Sequence, residues 1–189
     1  MKSHRYERRR LRMIAERVPD GRILDVGYAQ LPNHYLAGPN RHVTGLDVAD
    51  DPSSGYDERI AGDIFDLERL TGRRRFDCIV AGEFIEHVEQ PYELLRLFSR
   101  ALVPSGRLIL STPNPVSLPV VLFEWLRSTR RFYTSDHTYY FTPRWVARLF
   151  KRSPFRLEET AGVGIWPLGL PCPVGLSYQV LYVASNTPA

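Results

Sequence analysis

Arg22-Ile23-Leu24-Asp25-Val26-Gly27 is the stretch from which the fold can be read. It is a short apolar run, opened by Gly21 and closed by an acidic residue and a glycine. It is too short for a stable helix and has the make-up of a buried strand. Runs of the same kind recur at 42–48, 76–81 and 106–111. The segments between them read as helices. The clearest covers 92–103, where Leu94, Leu95, Phe98, Ala101 and Leu102 form an apolar stripe. Pro91 stands at the first-turn position that proline tolerates, and Gly106 ends the connection. Strands and helices in alternation specify an α/β domain, with a mostly parallel sheet covered on both faces.

Upstream, Leu11, Ile14, Ala15 and Val18 fall on one face of a helix spanning about 3–18, whose other face is largely arginine. Such a helix either packs on the domain edge with a solvated outer face or grips an anionic partner. Downstream, Thr112-Pro113-Asn114-Pro115 reads as a loop, because two prolines deny the backbone donors that a ladder needs. An apolar, aromatic segment follows, and the stretch 115–141 has the look of an insertion. Thr142 and Pro143 start a further helix, and 155–160 and 178–184 read as two final strands.

Composition narrows the function classes. Of 189 residues 43% are hydrophobic and 24% charged, which is globular. The 25 basic and 21 acidic side chains leave a net charge of only +4, too little to favour nucleic acid as the partner. Two cysteines, Cys78 and Cys172, cannot build a disulfide framework or a four-cysteine zinc site. His34, His42 and the cysteines show no metal-ligand spacing, so no metal is expected. No apolar run reaches the roughly 20 residues that span a bilayer, and a cytoplasmic home is expected.

In a doubly wound sheet, Asp25 and Gly27 after the first strand and Asp47 after the second lie at the carboxyl edge, where ligands bind. An acidic side chain there can accept hydrogen bonds from both ribose hydroxyls, or can serve as an ordinary turn residue.

Three further stretches add to this: Gly62-Asp63-Ile64; Phe76-Asp77-Cys78-Ile79-Val80-Ala81-Gly82-Glu83-Phe84-Ile85-Glu86-His87-Val88; and Leu102 through Gly106-Arg107-Leu108-Ile109-Leu110-Ser111-Thr112-Pro113-Asn114. Together with 22–27 they resemble the ordered motifs of class I S-adenosylmethionine-dependent methyltransferases, in particular the small-molecule branch that includes ubiquinone-biosynthesis methyltransferases. The resemblance implies a single domain over 1–189 with a substrate-binding insertion at 115–141. Its fold would be Rossmann-like and doubly wound, a seven-stranded, mostly parallel sheet with an antiparallel last strand, in three layers. It implies S-adenosylmethionine as cofactor, with Asp25 and Gly27 beside its methionine part and Asp47 on the ribose. Asp63 would take the adenine amino group, with Ile64 over the ring. Gly82 and Glu83 would form the wall beside the sulfonium, and Glu86 and His87 match the family's Glu-His pair. The chain departs from the pattern after Gly27, where Ala29 and Leu31 replace the second and third glycines of the loop. The same loop lacks the spaced glycines of a nicotinamide site.

The expected reaction is methyl transfer to an oxygen or nitrogen of a small-molecule acceptor. If the acceptor must lose a proton, His87 and His137 are the candidate bases. Arg127, Arg130 and Arg131 could bind an acidic acceptor. Two alternatives stand beside this reading: an inactive binding module, suggested by Ala29 and Leu31, and an RNA-modifying enzyme, suggested by the arginines of the first helix and by Arg73, Arg74 and Arg75. Aromatic residues of the insertion would serve either a pocket or a homodimer contact.

Overall fold

The computed structural model describes residues 5–127 and 137–187, without the side chain of Arg127. One seven-stranded sheet runs through them, in the order β3-β2-β1-β4-β5-β7-β6. The strands are β1 (Gly21–Val26), β2 (Arg41–Asp47), β3 (Glu58–Ala61), β4 (Phe76–Gly82), β5 (Leu102–Pro113), β6 (Phe155–Gly162) and β7 (Gln179–Asn186). The pairs among β1 to β5 are parallel, and β7 runs antiparallel to both β5 and β6. This is the doubly wound sheet with an antiparallel last strand that the family resemblance implies.

The central strands are buried on both faces, so their successive side chains enter different cores. Leu24 and Val26 of β1, Ile79 and Ala81 of β4, and Leu108 and Leu110 of β5 face one cluster. They pack there with Leu94, Leu95 and Phe98 of α3 (Pro91–Ala101) and with Val146, Leu149 and Phe150 of α5 (Pro143–Lys151). Ile23, Cys78, Val80 and Ile109 face the other cluster, with Tyr6, Met13 and Ile14 of α1 (Arg5–Ala15). Helix on sheet on helix gives the three layers. The short α2 (Leu67–Leu70) follows β3, and α4 (Leu118–Arg127) follows β5.

Two readings from sequence are corrected. The loop expected at 112–115 begins only at Asn114, because Thr112 and Pro113 still pair with Val180 and Gln179. Ser111 accepts from Glu83 N and so faces β4; Pro113, two residues on, faces the same way, beyond Gly82 where β4 has ended. Its missing N–H therefore breaks no ladder bond. The second correction is β3, which carries no apolar run. It lies at the sheet edge, alternating half-buried and exposed residues.

The strand order reverses between β1 and β4, since the chain leaves β3 at one edge and returns on the far side of β1. That switch point opens a crevice at the carboxyl ends of these strands, where such sheets bind their ligands.

Candidate functional site

At the end of β1, the Asp25 carboxyl is buried and accepts a hydrogen bond from Tyr56 Oη at 2.5 Å, which in turn accepts from Asn33 N at 2.7 Å. Burial raises the Asp25 pKa to about 7; the Tyr56 bond and the charge of Arg10 hold it down, while Asp47 pushes it up. Gly27 follows with φ of 74°, and its N–H donates to Leu46 O at 2.9 Å. Asp47 closes β2, and its two oxygens accept from Ala29 N (2.9 Å) and Ala49 N (3.1 Å). Each carboxylate oxygen has a second lone pair, so Asp47 shapes the loop and can still receive hydroxyl donors. Neither Ala29 nor Leu31 has positive φ, so replacing glycine at these positions leaves the backbone unstrained.

Glu83, just past β4, sits at φ of 55°, an uncommon conformation for a non-glycine residue. Three contacts hold it there: its N–H donates to Ser111 O (2.9 Å), Oε1 accepts from Ser111 Oγ (2.9 Å) and Oε2 accepts from Gln179 Nε2 (2.5 Å). Burial raises its pKa, against the lowering effects of Arg10, Ser111 and Gln179. Arg10 reaches the same corner from α1, with Nη1 on Ser111 Oγ (3.3 Å) and Nη2 paired to Glu7 (2.9 Å).

These groups line one crevice. A cavity of about 680 Å³ is bounded by Asp25, Gly27, Asp47, Gly82, Glu83, His87, Gln179 and, from α1, Glu7 and Arg10. An adjoining cavity of about 340 Å³ is bounded by Asp47, Gly62, Asp63, Ile64, Phe65, Phe84 and His87. Asp47, Val48, Phe84 and His87 line both. Asp25, Gly27, Asp47, Asp63, Ile64, Gly82 and Glu83, far apart in sequence, are thus brought to one rim. Asp63 is exposed and spends Oδ1 on Phe65 N (2.8 Å), and Ile64 is buried. Both volumes are within the roughly 300–1,000 Å³ typical of ligand pockets.

His87 and His137 meet edge to face, with ring centroids 4.8 Å apart. Backbone bonds from Thr138 N and Tyr139 N to Glu86 O, 2.9 and 3.0 Å, hold the second ring against the first. The Glu86 carboxyl, 1% exposed, lies beside the two histidines, and among the described residues no other residue donates a hydrogen bond to it. Burial raises its pKa well above the ordinary range, and Glu83 adds to the effect. Ligand atoms of Glu86, His87 and His137 lie within 4.8 Å of one another, a grouping that spacing in the sequence does not display.

A separate cavity of about 500 Å³ lies between α4 and the connection from β6 to β7, bounded by Ser117, Val120, Phe123, Ile165, Trp166 and Tyr178. Arg130, Arg131 and Asp136 of the expected insertion lie outside the described residues, as does the Arg127 side chain.

Sequence reasoning missed Arg10, Tyr56, Ser111 and Gln179. Arg10 could have been found, because it lies four residues before Ile14 on the face that α1 buries. The other three are joined to the site only by long-range bonds, and no local pattern marks them.

S-adenosylmethionine can be tested against this lining. Asp25, Asp47, Glu83 and Glu7 face the larger cavity with Arg10 as their counter-charge. That suits a ligand carrying a sulfonium, an ammonium and two ribose hydroxyls, and opposes a pyrophosphate. The residues fit the cofactor.

Comparison with known proteins agrees. A family model for the methyltransferase domain matches residues 2–160. A ubiquinone biosynthesis O-methyltransferase from Xylella fastidiosa (strain 9a5c) is 30% identical over 174 residues, 84% of this chain and 71% of that protein. One of the same name from Aeromonas salmonicida (strain A449) is 24% identical over 176 residues, 86% and 74% of the two chains. Among solved structures, an S-adenosylmethionine-dependent methyltransferase from Thermotoga maritima superposes with a TM-score of 0.70 at 16% identity, covering 96% of this chain and 89% of that one. The 1,6-didemethyltoxoflavin-N1-methyltransferase of Burkholderia thailandensis, solved with its substrate and S-adenosylhomocysteine, gives 0.64 at 17% identity, covering 96% and 77%. With its cofactor crevice, strand order and family match in agreement, this chain belongs to the methyltransferase-domain family as a class I S-adenosylmethionine-dependent enzyme.

Proposed function

We propose that the chain methylates an oxygen or nitrogen atom of a small-molecule acceptor. Asp47 would bind the ribose, Asp63 and Ile64 the adenine, and Asp25, Gly27, Gly82 and Glu83 the methionine end. The observation that carries this reading is the position of Asp47 on the wall shared by the two adjoining cavities, with carboxyl groups lining the larger. When bound, S-adenosylmethionine supplies a methyl carbon activated by its sulfonium. The protein's task is then mainly to align the partners and exclude water, and alignment alone can supply effective molarities of about 10⁵ M or more. His87 borders the crevice and is the nearer candidate base; His137 packs against it.

The acceptor would enter by the apolar cavity beside α4. Tyr178, just before β7, lines that cavity, and the next residue, Gln179, lines the crevice. Relatives named ubiquinone biosynthesis O-methyltransferase act at oxygen, and an apolar aromatic lining suits an acceptor of similar chemistry. This is the reading we give to 115–141 as a substrate-binding insertion in a single domain. No helix among the described residues is long and apolar enough to cross a membrane. The two free thiols support a reducing, cytoplasmic setting.

A nucleic-acid acceptor has one observation in its favour, a groove along α1 lined by Arg5, Arg8, Arg9, Arg12 and Arg17. Against it, Arg17 is spent on Glu159, Arg9 on the Val163 carbonyl, Arg74 on Glu58 and Arg75 on the Leu102 carbonyl. The groove also lies on the face of α1 away from Glu7 and Arg10, which border the crevice. Salt-sensitive RNA binding would restore that alternative.

Calorimetric titration with S-adenosylhomocysteine tests the main reading. Binding in the micromolar range is expected, and Asp47→Ala should weaken it about tenfold or more, since hydrogen bonds to a charged group contribute roughly 1.5–3 kcal/mol. No binding by the unaltered protein, or equal affinity in the variant, would overturn the assignment.

A further inference from the structure

The two faces of α1 carry their arginines to different places. Arg10, on the buried face, borders the crevice. Arg5, Arg8 and Arg12 are exposed and fall on successive turns along a groove of about 600 Å³. Elsewhere on the surface Arg59, Arg69, Arg96, Arg100 and Arg156 each pair with an acid. Around α1 the acids are taken by other arginines: Glu7 pairs with Arg10, and Glu16 and Glu159 with Arg17. Among the described residues no acidic side chain pairs with Arg5, Arg8 or Arg12. Like charges three and four positions apart on a helix repel, so the row lacks a counter-charge. The Arg12 guanidinium lies over the Tyr35 ring, 5.1 Å from its centroid, which orients the group and leaves its in-plane N–H donors free.

The groove stands close to the apolar cavity beside α4. Gly169 lines the groove and Pro167 lines the cavity, and two residues place their Cα atoms at most about 7.6 Å apart. A Cβ on Gly169 would stand 3.3 Å from Arg5 O, so this turn rests on the start of α1. Tyr6 of α1 meets Tyr178 edge to face at 6.1 Å, and Tyr178 lines the cavity together with Trp166. The same turn exposes Trp166 and Leu168, an apolar surface next to the arginine row.

We infer that Arg5, Arg8 and Arg12 bind the phosphate or diphosphate head of an acceptor whose apolar remainder occupies the cavity beside α4. Three uncompensated guanidinium groups call for two or three negative charges, which such a head carries and a single carboxylate does not. Phosphate oxygens also match the guanidinium fork in bidentate fashion. Arg5 and Arg12 are about 10 Å apart along the helix axis, so one phosphate bridges neighbouring turns and a diphosphate engages all three. The inference rests on the reading under Proposed function that the acceptor enters by this cavity; it adds the chemistry of the acceptor's other end.

Calorimetric titration with decyl phosphate, kept below its micelle concentration, tests the site. One molecule per chain is expected. The variant Arg5→Gln/Arg8→Gln/Arg12→Gln should bind it more than about tenfold less tightly, since charge-assisted hydrogen bonds are lost. Arg22→Gln/Arg144→Gln/Arg152→Gln removes as many charges from exposed positions elsewhere and should leave binding unaltered. Ethyl phosphate, with the same head and almost no chain, should bind about tenfold or more weaker, because the apolar burial is missing. No uptake by the unaltered protein, or equal affinity in the first variant, would overturn the head site. Equal affinity for ethyl and decyl phosphate would mean that the groove takes a free phosphate, and would overturn the two-part ligand. Binding to phosphatidylglycerol vesicles without uptake of monomeric decyl phosphate would make the groove a membrane contact and overturn it as well. S-adenosylhomocysteine binding separates the two proposals: retained without decyl phosphate uptake, it leaves the cofactor reading standing and removes the head site; decyl phosphate uptake without it does the reverse.

Discussion

A Cβ at position 27 would come within 2.6 Å of Phe84 Cδ2, and the backbone there has φ of 74°. Both facts require glycine at the place where the chain turns over the crevice. Gly27→Ala should lower unfolding free energy by about 1–3 kcal/mol, the usual cost of a residue held in such a conformation, and weaken S-adenosylhomocysteine binding as Phe84 shifts. Urea unfolding and calorimetry measure the two effects, and a fully stable variant would show that the turn relaxes. Asp25 leads to a pH dependence. Its pKa rises to about 7 in the folded protein from 3.8, so between those values the native state holds a proton that the unfolded chain has lost. Its contribution to stability is therefore complete below about pH 4 and declines as pH rises toward about 7. In Asp25→Asn, whose amide oxygen still accepts from Tyr56, that decline should flatten; denaturant midpoints across this range decide it. Asp25 and Gly27 could be singled out in the sequence because strand-end chemistry is local. Tyr56 could not, since its bond to Asp25 crosses 31 positions of the chain.

Elements with a strong period were legible before any coordinates. β1, β4 and the core of β5 are buried on both faces and so read as largely apolar runs. β3 was not legible, because an edge strand with one half-buried face needs little apolar content. Pro113 misled for a related reason: proline excludes a ladder bond, but which side of a strand lacks a partner depends on where the neighbouring strand stops. The start of α5 is a signal that did carry through. Thr142 Oγ1 accepts from Trp145 N at 3.3 Å, ahead of Pro143, and the helix buries Val146, Leu149 and Phe150. Thr142→Ala should cost about 1 kcal/mol and lower the melting temperature by about 2–4 °C. A thermal melt would show it, and no change would mean that water replaces the cap. α1 illustrates the opposite case. Its arginines read as a solvated face, yet Arg10 is buried at the crevice, where Glu7, Ser111 and the field of Glu83 offset the cost of its burial.

At the scale of the whole molecule, the crevice is assembled from α1, β1, β2, β4 and β7, so no piece of the chain holds it alone. A ligand that bridges these elements binds the native state and not the unfolded one. S-adenosylhomocysteine at a hundred times its dissociation constant should therefore add about 2.7 kcal/mol to the unfolding free energy. Chemical denaturation with and without it measures the gain; none would mean that the crevice does not take it.

The amino-acid order alone determined the alternation of strands and helices, and with it the rim at which Asp25 and Asp47 arrive; Asp63 and Glu83 were expected there from the family resemblance. Hydrophobic period and strand-end residues are properties of neighbours along the chain. Only the tertiary structure decided how those carboxyls are partnered, that Arg10 joins them, and that His137 is brought against Glu86 and His87. Such contacts depend on which strands lie side by side and where each stops, which is settled by packing across the sheet.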